Sequence, residues 1–275
     1  MVPGYHSQVT HRSRSAVLVL ATLVAVGGCG SDQKKPRQQP LQPLSLQEQT
    51  SSVASSSNGY IVNWAGVLRN ANRWHFGENA VATVTAVDAA GQEVVHMEQP
   101  LDAIPPGGTL PFSGEAVANA KPVNVKIGYR DAAWRQAARI PSAFKPFPLY
   151  EVATEPLDRK SYLVTGYVGD PFIKAAGSLV VTALLRDAEG KLIGGGSAFV
   201  DDVTSKLRRR FVITVDSVSG GKAVKTDVMA RTWGSTAKPY EDLALGGAVP
   251  ADRGRPATPP FAKDRGYQVA SDRRP

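Results

Sequence analysis

VTAVDAAGQEVV at residues 84–95 and ALLRDAEGKLIG at residues 183–194 follow one plan: an apolar run, then Asp-Ala-x-Gly, then a second apolar run. Asp-Ala-x-Gly suits a tight hairpin, because glycine accepts the positive φ that the last turn position often needs. Each stretch therefore reads as two antiparallel strands, and the chain carries the same hairpin twice. Sliding the sequence by 99 positions without a gap, from Ala82 to Trp134, superposes nine identical residues. These are Thr83/Thr182, Asp88/Asp187, Ala89/Ala188, Gly91/Gly190, Asp102/Asp201, Phe112/Phe211, Val125/Val224, Lys126/Lys225 and Trp134/Trp233. They fall at turns and at large apolar positions, which a shared fold constrains. With one residue inserted, AGVLRN at 65–70 also aligns with TGYVGD at 165–170.

Both halves are rich in β-branched and aromatic residues, as in YLVTGYV (162–168) and FVITV (211–215), which fit a pleated, half-buried surface. No segment shows a long 3.6-residue period, and Ile104-Pro105-Pro106-Gly107-Gly108 must be a loop. Strands are expected near 60–69, 80–88, 92–98, 109–116 and 122–130. In the second half they are expected near 161–168, 178–187, 191–200, 208–215 and 223–232, with PLYEVA (148–153) as a further candidate. Short strands broken by turns about every ten residues argue for stacked sheets. The expected fold is all-β: two tandem immunoglobulin-like β-sandwich domains at 58–135 and 160–234, joined by a linker at 136–159.

The strand–Asp-x-x-Gly–strand plan, with a glycine in the first strand, resembles the FxLYD-type immunoglobulin-like domains of bacterial surface lipoproteins. Of the name-giving motif, VTAVD (84–88) and ALLRD (183–187) keep chiefly the aspartate. The resemblance covers roughly 58–135 and 160–234. It implies an extracellular, non-catalytic sandwich and supplies no site residues.

The two ends read differently. Residues 1–15 carry Arg12 and Arg14 and no acid, and AVLVLATLVAV (16–26) is apolar but well short of the roughly 20 residues that cross a bilayer. A positive start, a short apolar run and small residues make a signal peptide, expected at 1–28. Val26-Gly27-Gly28-Cys29 resembles the lipobox of bacterial lipoproteins, in which the cysteine thiol receives a diacylglyceryl group. Cys29 is the only cysteine in the chain, so it closes no internal disulfide, and a lipid anchor is its expected role. Residues 29–57 are rich in Gln, Ser and Pro and read as a flexible tether; 235–275 read as a disordered tail. The expected location is the extracytoplasmic face of the cell membrane. Loss of Arg12 and Arg14 lowers the net charge from +8 to +6. That balance suits solubility, or contact with an anionic wall polymer, and an extracytoplasmic address argues against nucleic acid.

Chemistry-bearing motifs are few. After cleavage two histidines remain, His75 and His96, with no Gly-x-Ser-x-Gly elbow, no cysteine beyond Cys29 and no Gly-Lys-Ser/Thr after the glycines at 194–196. No catalytic residue, metal ligand or cofactor is expected. Asp201-Asp202 and Glu241-Asp242 read as solvated turns. The glycine triplet reads as a bulge or a close backbone approach. Two interaction candidates stand out. One is the loop carrying Arg73, Trp74 and Phe76, with its counterpart at Phe172: these side chains either meet a partner or plug the end of the core. The other is Arg208 and Arg210 on the outer face of a strand, either an edge guard or a basic patch for anionic polymers. The leading expectation is a non-catalytic binding or scaffolding module of the cell envelope, anchored in the membrane and meeting an envelope protein or wall polymer. The alternative is an envelope enzyme or accessory subunit with a site near 136–160, where AFKPFPLY (143–150) is strongly aromatic.

Overall fold

The structure is a computed structural model that describes residues 40–249. The expected signal peptide, Cys29 and most of the expected tail lie outside the described residues. Among the described residues the chain from Leu41 to Val249 forms one unit, built from two similar β lobes.

Lobe 1 contains β1 (Ser45–Ser56), β2 (Gly59–Arg69), β3 (His75–Glu78), β4 (Val81–Val87), β5 (Glu93–Pro100), β6 (Thr109–Ala118), β7 (Asn124–Arg130) and β8 (Ala133–Gln136). Lobe 2 contains β9 (Leu149–Pro156), β10 (Tyr162–Val168), β11 (Ala176–Arg186), β12 (Leu192–Val203), β13 (Arg209–Val215) and β14 (Lys225–Thr232), followed by helix α1 (Lys238–Leu245). In lobe 1 a β1-β2-β6 sheet faces β5-β4-β7; in lobe 2 β9-β10-β13 faces β12-β11-β14. All strand pairs are antiparallel. In immunoglobulin lettering both lobes are A-B-E against D-C-F, with the fourth strand on the third rather than the fifth. The short pair β3-β8 is an addition in lobe 1. The fold is thus all-β, two immunoglobulin-like sandwiches in tandem.

The repeat extends to local chemistry. Asp88 Oδ1 accepts from the Gln92 N–H at 2.9 Å, and Asp187 Oδ1 accepts from the Lys191 N–H at 2.8 Å. Gly91 and Gly190 close the two turns with φ of 77° and 81°. Gly66 pairs with Phe112, and Gly166 with Phe211. A Cβ on either glycine would come within 2.6 Å of the facing ring's Cζ, so the missing side chain is what lets each phenylalanine lie over the neighbouring strand. Phe112 and Phe211 are buried in the two separate cores. Asn70 Oδ1 and Asp170 Oδ1 each accept the N–H two residues ahead, both at 2.8 Å.

Three expectations shift. Residues 45–56, assigned to the tether, form β1. Their side chains are too polar to announce a strand, but the backbone pairs along β2 from Ser45 to Ser56. Thr50 and Ser52 donate hydrogen bonds to Ser219 Oγ and the Ser217 carbonyl of lobe 2, at 2.9 and 3.0 Å. Residues 149–156, inside the expected linker, are the first strand of lobe 2, where PLYEVA was the further strand candidate. Residues 238–245, inside the expected tail, are helical. An eight-residue helix is marginal alone, and tertiary contacts hold this one. Leu243 and Tyr240 pack on the lobe 2 core, while Glu241 is buried, bonds Arg135 and accepts the Ala138 N–H at 2.9 Å. The Glu241 turn expectation is corrected accordingly.

The lobes stack rather than hang apart. The outer face of β1-β2-β6 lies on the outer face of β12-β11-β14, giving four sheets in succession. Ala65 and Val67 meet Leu184 and Leu192 in a small apolar centre. A Cβ on Gly195 would stand 3.0 Å from the Ala65 Cβ, so the glycine triplet does mark a close approach. Around that centre the contacts are polar. Arg186 bonds Glu48 across the interface, at 2.5 and 3.0 Å, and Asp227 within lobe 2, at 2.6 Å. Its pKa is pushed up, first by the Glu48 hydrogen bond.

Glu115 of β6 is exposed, yet partial desolvation, then hydrogen bonding with Asp216 of lobe 2 and the like charge there, raise its pKa above the usual 4.5. A carboxyl with a raised folded-state pKa contributes stability that is complete below the unfolded value and is lost as pH rises through the folded one. That contribution should therefore raise the melting temperature as pH falls from neutral toward 4.5, against the opposite pull of the lowered Asp227 carboxyl. Glu115→Gln should flatten that slope; an unchanged slope would mean that the Glu115 carboxyl does not contribute to it.

Candidate functional site

At one edge of the stacked sheets the lobes diverge and leave a cleft of about 180 Å³. β12 turns Ser197 and Phe199 toward it, β11 supplies Thr182, the end of β14 supplies Arg231 with Trp233 just past the strand, and lobe 1 supplies Gln99, Asp102 and Ser113. Phe199 and Trp233 stand at the rim, 66% and 57% exposed. Their rings meet edge-on with centroids 5.9 Å apart.

The floor is polar and tied to both lobes. Arg231 Nε donates to Asp102 Oδ2 at 3.1 Å, and Nη2 donates to the Pro111 carbonyl at 2.5 Å and to Thr182 Oγ1 at 3.4 Å. The other oxygen of Asp102 accepts the Gly234 N–H at 2.9 Å. Burial pushes the Arg231 pKa down, while the Asp102 charge opposes that shift. Ser197 Oγ lies 2.8 Å from Ser113 Oγ and 2.9 Å from Thr182 Oγ1. Gln99 accepts from Trp64 Nε1 at 3.0 Å and donates to the Ser113 carbonyl at 2.9 Å. The site therefore combines exposed aromatic surface, a hydroxyl cluster and an internally compensated ion pair.

The residues singled out from the sequence scatter. Phe76 and Phe172 are fully buried. Phe76 meets Phe144 edge-on at 5.0 Å, and Phe172 meets Phe147 and Tyr240 at 5.9 and 6.1 Å. They plug the lobe ends and are not partner contacts. The aromatic segment at 143–150 thus joins helix and lobes, and burial pushes the Tyr240 phenol up to about 12. Arg73 and Trp74 are exposed and stack on each other, 5.3 Å from guanidinium to ring centroid. Arg208 lies 3.5 Å over the Tyr150 ring, and Arg210 is exposed on β13. β13 is an edge strand, as the guard reading requires. None of these six lines the cleft.

His96 sits 3.5 Å from Glu93 on an exposed sheet face, both side chains more than half exposed. His75 lies in β3, where its carbonyl accepts from Asn70 Nδ2 at 2.7 Å. Neither histidine lines the cleft. Among the described residues, no three His, Cys, Asp or Glu side chains converge as metal ligands, and no helix is long and apolar enough to cross a membrane.

Sequence reasoning missed Phe199, Ser197 and the Asp102–Arg231 pair. One signal existed: Phe199 alternates with the buried Val200, so an aromatic occupies the outward phase of a strand. Trp233 was marked only as the repeat of Trp134.

No family model and no curated protein matches the chain. Among solved structures it is similar to a Bacteroides fragilis protein described as a β-galactosidase, at 13% identity and a TM-score of 0.19. The match covers 66% of this chain and 34% of that one, so the chain spans about a third of that protein's length.

Proposed function

We propose that this chain is a lipid-anchored protein of the extracytoplasmic membrane face that acts as a non-catalytic binding or scaffolding module in the cell envelope. The acyl chains on Cys29 hold it at the membrane, each buried methylene contributing about 0.8 kcal/mol. The stacked lobes then display a surface of fixed shape to an envelope protein or wall polymer. The FxLYD-type resemblance supports the same reading.

The observation that carries it is the exposed Phe199–Trp233 pair beside a floor whose charges cancel. Large aromatic side chains left in water at the mouth of a cleft mark a contact surface more often than a catalytic one. A photo-crosslinking residue at position 199 should capture an envelope component on intact cells, and the same residue at position 123, exposed in lobe 1, should not. Equal capture at both positions, or none at 199, would defeat the binding role. The anchor has its own test. A fatty-acid probe should label the wild type and leave Cys29→Ala unlabelled; equal labelling would remove the anchor.

A further inference from the structure

We infer that the cleft binds a single neutral sugar ring, stacked on Trp233 and hydrogen-bonded to Ser197. The inference deepens the binding-module reading and rests on it.

The chemistry of the floor selects the ligand class. Thr182 and Ser113 are buried, so their hydroxyl protons need acceptors inside the protein. Both lie within hydrogen-bond distance of Ser197 Oγ. Arginine has no acceptor, so Thr182 Oγ1 takes the Arg231 N–H and keeps its own proton to donate. In the arrangement that gives both buried hydroxyl protons an acceptor, Ser197 Oγ accepts from both neighbours, and its own hydroxyl proton is left for the open side, polarised by the two bonds it receives. Gln99 has spent one amide proton on the Ser113 carbonyl and retains the second.

Such a site offers donors to a neutral oxygen and an aromatic face to C–H groups. A purely apolar ligand would strip water from the Ser197 hydroxyl and the Gln99 amide without replacing it. An anion would find the nearest cation, Arg231, already neutralised by Asp102, and a cation would find Asp102 equally engaged. A pyranose ring supplies hydroxyl oxygens on its edge and C–H bonds on its face, which is the combination the cleft leaves unmatched. A volume of about 180 Å³ restricts the deep contact to one ring, and few contacts imply an affinity on the order of millimolar.

The test is saturation-transfer NMR on the full chain with glucose, galactose and N-acetylglucosamine, and with glucuronate as the charged counterpart. At least one neutral sugar should receive saturation through its ring C–H protons. Trp233→Ala should weaken that sugar about tenfold and Ser197→Ala about threefold. Trp74→Ala, which removes an exposed tryptophan elsewhere, should change nothing. Trp233 is exposed, and the circular dichroism melt of Trp233→Ala should match the wild type; Ser197→Ala strands the buried Ser113 and Thr182 hydroxyls and should melt lower, so its binding is read well below that transition, which separates lost binding from lost fold. Transfer to none of the neutral sugars, transfer unaffected by Trp233→Ala, or glucuronate binding more tightly than glucose would each overturn the sugar inference. Crosslinking at position 199 that persists alongside such a result would leave the binding module standing without this ligand.

Discussion

Asp102→Ala is expected to destabilise the protein by about 3–5 kcal/mol, because it leaves a buried guanidinium without its counter-charge. The Arg231 side chain is 9% exposed. Without Asp102 its remaining partners are the Pro111 carbonyl, the Thr182 hydroxyl and the Met229 sulfur at 3.8 Å. The substitution also strands the Gly234 N–H. The pair spans the lobes, so its loss acts on the interface as well as on one residue. Adding Arg231→Met to Asp102→Ala should recover most of the loss, since replacing both members of a buried pair is far cheaper than removing one. Urea denaturation of the two singles and the double closes the cycle. A loss below about 1 kcal/mol for Asp102→Ala, in the range of an exposed pair, would mean that water reaches Arg231 and that the interface is looser than described.

Phe112→Ala and Phe211→Ala should each cost about 3–5 kcal/mol, the usual range for deleting a buried phenylalanine. The ring fills its own core and also covers the facing glycine, Gly66 or Gly166, which has no side chain to collapse into the void. Either variant should lower a single calorimetric transition. Tandem domains on a flexible linker would melt separately. These lobes share the Ala65–Val67–Leu184–Leu192 contact, two ion pairs that cross the interface and the α1 helix, whose residue Glu241 bonds lobe 1 while Leu243 packs in lobe 2. Calorimetric and van't Hoff enthalpies should agree for the whole body. Two peaks, with only the lower one moved by Phe112→Ala, would show that the stacking contributes little.

Of the site, little was legible. Arg73, Trp74, Phe76, Phe172, Arg208 and Arg210 are bulky or basic residues that the sequence alone places in loops and on an outward face. Phe76 and Phe172 turned inward because a sandwich end must be closed, and a loop's sequence does not say which side its aromatics take. Asp102 and Arg231 stand 129 positions apart, a separation over which no local pattern speaks.

Most strand positions, though not β1, β3 or β8, together with both Asp-Ala-x-Gly hairpins and the duplication, were readable from the chain alone. These depend on alternation and turn chemistry, which act between residues close in sequence. Which sheet face meets water was not. Ala65 and Val67 correspond to Thr165 and Tyr167; the first pair is covered by lobe 2, while Thr165 is half-buried and Tyr167 exposed. Strand β1 and helix α1 were likewise decided by tertiary structure. Their own residues bury too little to order them, and each exists because a distant surface supplies the hydrogen-bond partners and apolar contacts that it lacks.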